Sequence, residues 1–138
     1  MFLTFLTFLP LLGAILLTLL PRDEEGAIKQ TALAFAVADF VLSIFLWTNF
    51  DSTTHEMQFE YSVPWISSWG ISYHVGLDGI SLLLYIMTTF LTMISIIASW
   101  GITKNIREYM MAFLALSTGM LGVFVSLDMF LFYFFWEF

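Results

Sequence analysis

The sequence contains no cysteine and few charged residues. Its 138 residues include four Lys or Arg and eleven Asp or Glu, so charged residues make up only 11% of the chain. Without thiols the chain can form neither disulfides nor Cys-ligated zinc or iron–sulfur sites. The scarcity of basic residues also argues against nucleic-acid binding, which requires clusters of Lys and Arg.

Histidine is nearly absent as well, which limits the metal sites that the chain can form. The two histidines, His55 and His74, both lie in the one polar stretch of the sequence, and neither falls in an apolar run. An intramembrane haem would need a histidine inside such a run. We therefore expect no bound metal and no redox cofactor in this chain, and we interpret its 16 Phe residues as lipid-facing and packing groups.

What the sequence has in abundance is apolar residues, at 60% of the chain. A soluble domain has about 45–50%, so we expect an all-α membrane protein, and the apolar runs predict spans over 2–20, 27–50, 77–100 and 109–125. The N-terminal run lacks a basic n-region and a cleavage site, which indicates a retained span and not a signal peptide. Pro10 lies inside this run and is tolerable in a membrane helix.

The last apolar run, 109–138, is too long for one ordinary span. Ser126 and Asp128 are suited to cap a new helix, because their side-chain oxygens can accept hydrogen bonds from free backbone amides. We therefore predict a tight turn at "SLD" and the start of a fifth helix near Asp128. The expected architecture is four transmembrane helices plus the beginning of a fifth, in a single membrane domain covering 1–138.

A short external β-hairpin is predicted between the second and third spans, within about 51–76. In "MQFEYSVPW" the apolar residues Met57, Phe59, Tyr61 and Val63 alternate with polar ones, which is the period of a half-buried strand. "SSWG" is a turn signal, and "ISYHV" can form the returning strand. Trp65 and Trp69 would lie at the membrane–water boundary.

The basic residues predict the orientation in the membrane. All four lie near the first and third connections (Arg22, Lys29, Lys104 and Arg107), whereas the second connection has none. The positive-inside rule places those two connections in the cytoplasm and the N-terminus outside. We expect a multi-pass protein of a bacterial inner membrane.

Two carboxylates, Asp39 and Glu137, fall well inside predicted helices, where an ionisable group is costly and is often functional. Glu137 would lie near the bilayer centre, about 13 Å beyond a helix start at Asp128. It is either a proton-exchanging group or a structural hydrogen-bond partner. For Asp39 we favour a structural role, bonded to Ser43 or to another helix, and for Asp78 a helix N-cap.

Three stretches resemble a known family in order and separation: "FLPLLGAILLTLLPR", "YHVGLDGISLLL" followed by "TTFLT", and "LDMFLFYFFWEF". They are similar to the antiporter-like subunit M (subunit 4) family of the proton-pumping NADH:quinone oxidoreductase, complex I. The resemblance implies about fourteen helices in inverted repeats. It also implies that Glu137 stands where the family has a glutamate paired with a lysine of a later helix.

By the same resemblance, the chain is the N-terminal part of a larger subunit that contributes to proton translocation. NADH, FMN, iron–sulfur clusters and quinone would be bound by other subunits, and the partners would be other membrane subunits and lipid. Two alternatives remain open. One is a subunit of a related sodium/proton antiporter or membrane-bound hydrogenase, and the other is a helical scaffold or assembly protein that transports nothing.

Overall fold

The computed structural model describes residues 2–138 and consists mainly of helices. Five α-helices and one two-stranded sheet follow each other in the order α1 (Phe2–Leu17), α2 (Glu25–Thr48), β1 (Gln58–Ile66), β2 (Ile71–Leu77), α3 (Gly79–Ala98), α4 (Ile106–Val125) and α5 (Met129–Glu137). The predicted helix and hairpin positions are confirmed to within a few residues. The short α5 begins directly after Asp128, as the capping pattern predicts.

Three of these helices, α2, α3 and α4, are long and apolar enough to cross a membrane. The first helix is shorter than its apolar run, since α1 ends at Leu17. The amides of the next three residues, 18–20, donate to carbonyls three residues earlier and form turns that do not continue the α-helix. Its 16 residues extend for about 24 Å at 1.5 Å per residue. Pro10 lies buried inside α1, and the helix continues through it.

The helices pack as a bundle in which α1 and α3 each contact both α2 and α4, and α5 lies on α4. Their apolar side chains form two buried clusters. The first is next to the hairpin and combines residues of all five helices with Val75 and Leu77 of β2. The second fills the opposite half, between α1, α2, α3 and α4. Because β2 contributes to the first cluster, the hairpin is packed on the end of the bundle.

The hairpin has antiparallel strands joined by a 3₁₀ turn at Ser67–Trp69. Gly70 follows this turn with φ +69°, a left-handed conformation that glycine adopts without steric cost. The predicted alternation of β1 is only partly correct. Phe59 and Tyr61 pack against the first cluster, but Met57 and Val63 are each 39% exposed. The register shifts between Gln58 and Tyr61, where Phe59 has φ +56°, so the strict period of two is broken.

The connections lie at two ends of the bundle, as the odd–even pattern predicts. At one end, Arg22 forms an ion pair with Glu108 at 2.7 Å, and Arg107 donates to the carbonyl of Leu20 at 3.2 Å. At the other end, the α4–α5 turn joins the hairpin through a bridge between Ser126 and Val75. The prediction differs in one detail: Lys29 and Arg107 lie inside α2 and α4 and not in loops.

Candidate intramembrane carboxylate site

The start of α5 is fixed by the side chain of Asp128. Its Oδ1 accepts hydrogen bonds from the amides of Phe130 at 2.9 Å and Leu131 at 3.3 Å, which are free at the first turn of a helix. The capping prediction is therefore confirmed for Asp128. It is wrong for Ser126, whose hydroxyl donates back to the carbonyl of Gly122 at 2.6 Å, at the end of α4.

The same aspartate ties α5 to the hairpin. Its Oδ2 accepts from the amide of Ser72 in β2 at 3.2 Å, and the amide of Leu127 donates to the carbonyl of His74 at 2.8 Å. The hydrogen bond from Ser72, helped by those from Leu131 and Phe130, holds the pKa of Asp128 below its usual range. The hairpin and the beginning of α5 therefore form one connected unit.

Helix α5 packs closely on α4 because α4 presents glycines to it. A Cβ atom on Gly122 would lie 2.2 Å from the ring of Phe135, and one on Gly119 would lie 3.2 Å from the ring of Phe138. Phe135 is buried in this contact. The two glycines set how near α5 lies to α4, and they thereby determine the position of Glu137, which is adjacent to Phe138.

Glu137 lies nine residues beyond Asp128, which corresponds to about 13 Å along the helix axis. Its side chain is exposed on the surface of the chain, among the exposed rings of Tyr133, Phe134 and Trp136. Within residues 2–138, no salt bridge joins Glu137 to a basic side chain. The carboxylate of Glu137 therefore lies on an exposed aromatic face of α5, where a group that packs against this helix can contact it.

Asp39 lies inside the bundle and is only 2% exposed. The expected bond to Ser43 is absent. The Ser43 hydroxyl donates to the carbonyl of Phe40 at 2.6 Å and contacts the Thr89 hydroxyl at 3.0 Å, while Oδ1 of Asp39 has no hydrogen-bond partner among the described residues. A buried polar atom without a partner costs free energy, and no hydrogen bond among the described residues offsets that cost at Oδ1 of Asp39.

Asp78 is the N-cap of α3, as predicted. Its Oδ1 accepts from the amide of Ser81 at 2.8 Å, and this hydrogen bond holds the pKa of Asp78 below its usual range. The carboxylate lies at the hairpin end of the bundle, at the start of α3. Its geometry is that of a helix cap.

His74 forms a hydrogen bond with Glu60 on the neighbouring strand of the hairpin. His74 Nε2 lies 2.5 Å from Glu60 Oε1 across the hairpin. Among the described residues, no group of three or more potential ligands could hold a metal ion.

The burial of two polar residues of the bundle was not predicted from the sequence. Lys29 is 8% exposed and donates from Nζ to the carbonyl of Trp100 at 2.6 Å, which links α2 to the third connection. Tyr85 is fully buried in α3, and its hydroxyl contacts that of Thr7 in α1 at 3.3 Å. The sequence gives no sign of either contact, because the partners are 71 and 78 residues away.

Comparison with known proteins gives a consistent result. The chain is 41% identical, over 98% of its length, to NADH-ubiquinone oxidoreductase chain 4 of Mycosarcoma maydis and to NADH-quinone oxidoreductase subunit M of Rhodobacter capsulatus. It spans 28% and 27% of these two proteins, or about a quarter of their length. No protein-family profile matches the chain.

Solved structures show the same fold. Respiratory complex I from Thermus thermophilus contains a chain with a TM-score of 0.75 and 25% identity, covering 99% of this chain and 26% of that one. A chain of the membrane-bound sulfane sulfur reductase, an archaeal respiratory membrane complex, matches with a TM-score of 0.78 at 21% identity, covering 99% of this chain and 21% of that one. At 21% identity, the second match shows a shared fold and nothing further.

The three long apolar helices and the similarity to these solved structures define an integral membrane protein of the type found in respiratory complexes. Homologues that are 35–41% identical over nearly the whole chain identify the kind of subunit that the chain resembles. Over nearly its whole length the chain is homologous to NADH-quinone oxidoreductase subunit M and NADH-ubiquinone oxidoreductase chain 4 proteins, as its motifs indicate, and it spans about a quarter of their length.

Proposed function

We propose that this chain is part of a membrane subunit that contributes to proton translocation coupled to electron transfer from NADH to quinone. The names of its relatives, NADH-quinone oxidoreductase subunit M and NADH-ubiquinone oxidoreductase chain 4, support this assignment. In this proposal the redox chemistry takes place in other subunits, which bind NADH, FMN, iron–sulfur clusters and quinone. This chain contributes to the proton path and contacts neighbouring membrane subunits and lipid.

The proposed topology has four spans. Helix α1, extended by the turn residues 18–20, is the first span beside α2, α3 and α4, and α5 begins the next one. Glu108 lies 2.7 Å from Arg22 and 3.6 Å from Arg107, so basic groups near both odd connections meet at one end of the bundle. This clustering supports a cytoplasmic location of that end and an external hairpin, in a bacterial inner membrane.

We assign the proton-exchanging role to Glu137. The observation that supports it is an exposed carboxylate on an aromatic helix, about 13 Å from the capped start of that helix at Asp128. An ionised group at such a depth is too costly to face lipid and needs a protein partner. The resemblance to the family supplies one, a lysine from a later helix.

The chemistry of this pair is a transfer of one proton. When the lysine is close and protonated, Glu137 is stable as the carboxylate, because the opposite charges stabilise each other in the low dielectric. When the lysine withdraws, the carboxylate loses this stabilisation and takes up a proton. A change of state in the neighbouring subunit that moves the lysine would thus make Glu137 bind and release one proton per cycle.

The test is Glu137→Gln in the full-length subunit, within the purified complex reconstituted in vesicles. Glutamine keeps the shape but cannot bind or release a proton, so proton pumping should fall by about a hundredfold, the lower end of what proton-transfer groups contribute. Glu56→Gln, in the exposed loop before β1, is the matched control and should pump normally. Normal pumping by a correctly assembled Glu137→Gln complex would contradict the proposal and favour a scaffold role.

A further inference from the structure

The second strand of the hairpin is bonded along both of its edges. Val75 pairs with Tyr61 of β1 and also forms a bridge with Ser126, in the turn between α4 and α5, so these two partners lie on opposite edges of β2. Beside this bridge, the amide of Leu127 donates to the carbonyl of His74 at 2.8 Å. The turn therefore lies along β2 in the manner of a third strand, and it ends at the residue that caps α5.

His74 is bonded to both neighbours of its strand. Its ring Nε2 lies 2.5 Å from Oε1 of Glu60 on β1, while its backbone carbonyl accepts from Leu127 of the turn. The side chain is 30% exposed, so protons from water can reach the ring. Two residues earlier on β2, the amide of Ser72 donates to Oδ2 of Asp128 at 3.2 Å. One carboxylate thus contacts the His74 ring directly, and a second is held on the same strand.

The charge of His74 determines how strongly it interacts with these two carboxylates. A neutral imidazole gives Glu60 one hydrogen bond, whereas an imidazolium adds ionic attraction to that contact and also attracts Asp128. The hydrogen bond from Ser72 is the main cause of the lowered pKa of Asp128, and the charge of His74 adds to it. Histidine is the side chain that ordinarily changes its charge between about pH 5 and 8.

The other elements that pack on β2 contribute few groups that change charge in this range. Helix α1 has no charged side chain, and the charged residues of α4, Arg107 and Glu108, lie at the opposite end of the bundle. The remaining titratable groups of these elements are Tyr61 and Tyr73 of the hairpin, Asp78 and Tyr85 of α3, and Tyr133 and Glu137 of α5. Phenols and carboxylates ordinarily titrate outside this range, and Glu137 is about 13 Å along α5 from its cap. His74 is therefore the group whose charge can change at this junction.

We propose that His74 is a positioning residue whose protonation strengthens the attachment of the hairpin to the start of α5. The ring nitrogen that does not contact Glu60 takes a proton from water and returns it to water as the pH rises. The imidazolium attracts Glu60 on β1 and stabilises the ionised Asp128 that caps α5, so this contribution is present at the lower pH and lost at the higher. The inference rests on the proposed function in that α5 presents Glu137.

Amide hydrogen exchange of the purified complex that contains the full-length subunit tests this attachment. The amides of Ser72 and Leu127 are bonded across the junction, so their protection, corrected for the intrinsic pH dependence of exchange, reports how often the junction opens. From about pH 8 to about pH 6, wild-type protection should rise about two- to fivefold, the range of an exposed ion pair. His74→Gln should match the wild type at the higher pH and show no rise, whereas loss of a purely structural contact would lower protection at both.

Two further variants identify the groups involved. Glu60→Gln removes the charge that His74 contacts and should remove most of the rise. His55→Gln replaces the histidine in the exposed loop before β1 and is the matched control, which should keep the full rise. The proposal is overturned if wild-type protection is the same at both pH values, if His74→Gln keeps the rise, or if His55→Gln loses it.

Proton pumping tests the positioning role separately. With equal pH on both sides of the vesicle membrane, pumping by His74→Gln relative to the wild type should be lower at the lower pH than at the higher, by up to about fivefold. A ratio that does not change with pH would contradict the positioning role, whatever the exchange result. Normal pumping by Glu137→Gln would overturn the proposed function instead, and would leave the exchange result for His74 unchanged.

Discussion

The backbone amide of Ser72, in the second strand of the hairpin, donates a hydrogen bond to the side chain of Asp128 over 3.2 Å. The same carboxylate caps α5 with its other oxygen. One side chain thus joins the hairpin to the helix that presents Glu137. Because Asp128 fixes where α5 begins, it also fixes how far along the helix Glu137 lies. Asp128 is therefore a positioning residue for the candidate site.

We expect the stability of the full-length subunit to depend on the ionisation of Asp128. Its pKa lies below the usual range because the amide of Ser72 donates to it, so the carboxylate stabilises the fold above the unfolded pKa of about 4. This contribution is lost as the pH falls through the lower, folded-state pKa. Thermal unfolding in detergent, followed from neutral to acid pH, should show the loss below about pH 4.

Replacement of Asp128 separates its contribution from that of other acids. Asp128→Asn should lower the unfolding temperature at neutral pH and make the acid-induced decrease smaller than in the wild type. Asp23→Asn, in the exposed turn before α2, is the matched control and should follow the wild-type curve. A curve for Asp128→Asn that parallels the wild type over the whole range would contradict this assignment.

A methyl group on Gly122 should displace α5 from α4. Its Cβ would lie 2.2 Å from the ring of Phe135, so one of the helices must move. Overpacking of this kind costs about 1–3 kcal/mol, and because α5 moves with it, Gly122→Ala should lower proton pumping as well as thermal stability. Both are measured on the full-length subunit in its complex.

The same contact offers a rescue and a control. Phe135→Leu combined with Gly122→Ala removes the ring that the methyl group meets, so pumping should recover in part. Gly26→Ala, at a helical position where nothing lies within 4 Å of the added atom, should behave as the wild type. If Gly122→Ala alone pumps normally, the close approach of α5 to α4 is not required.

Lys29 should contribute to stability through its hydrogen bond to the carbonyl of Trp100, which measures 2.6 Å. Lys29→Met keeps the aliphatic stem but removes the donor, leaving a carbonyl unpaired, and should cost about 1–3 kcal/mol. Lys104→Met removes an exposed ammonium of the third connection and should have little effect. Thermal unfolding of the full-length subunit distinguishes the two, and equal effects would show that the buried hydrogen bond contributes nothing.

Much of the fold followed from local sequence patterns. The helices of the three long apolar runs, the cap at Asp128, the cap at Asp78 and the turn at Gly70 were all predictable, because each depends on residues within a few positions. The homology to subunit M and chain 4 proteins was also evident from contiguous motifs. Local chemistry is sufficient for such features because backbone groups must be satisfied within the segment itself.

The errors lay where distant segments meet. Val63 was expected to pack inward, but it is 39% exposed, although Tyr61 on the same face of β1 packs against the first cluster. Asp39 was expected to bond Ser43 or another helix, but the hydroxyl of Ser43 is engaged by Phe40 and by Thr89 of another helix. The exposure of Val63 shows that the predicted alternation was only partly correct, and the Ser43 hydroxyl is engaged by a partner from elsewhere in the chain.

The sequence by itself determined that this chain is an apolar helical membrane protein with an acid on its last aromatic helix, because composition and short-range capping specify those properties. Only the tertiary structure decided that Asp39 is buried with its Oδ1 unpaired among residues 2–138, and that Asp128 is bonded to the hairpin. Burial and hydrogen bonding depend on how helices separated by many residues pack together, and no local pattern contains that information.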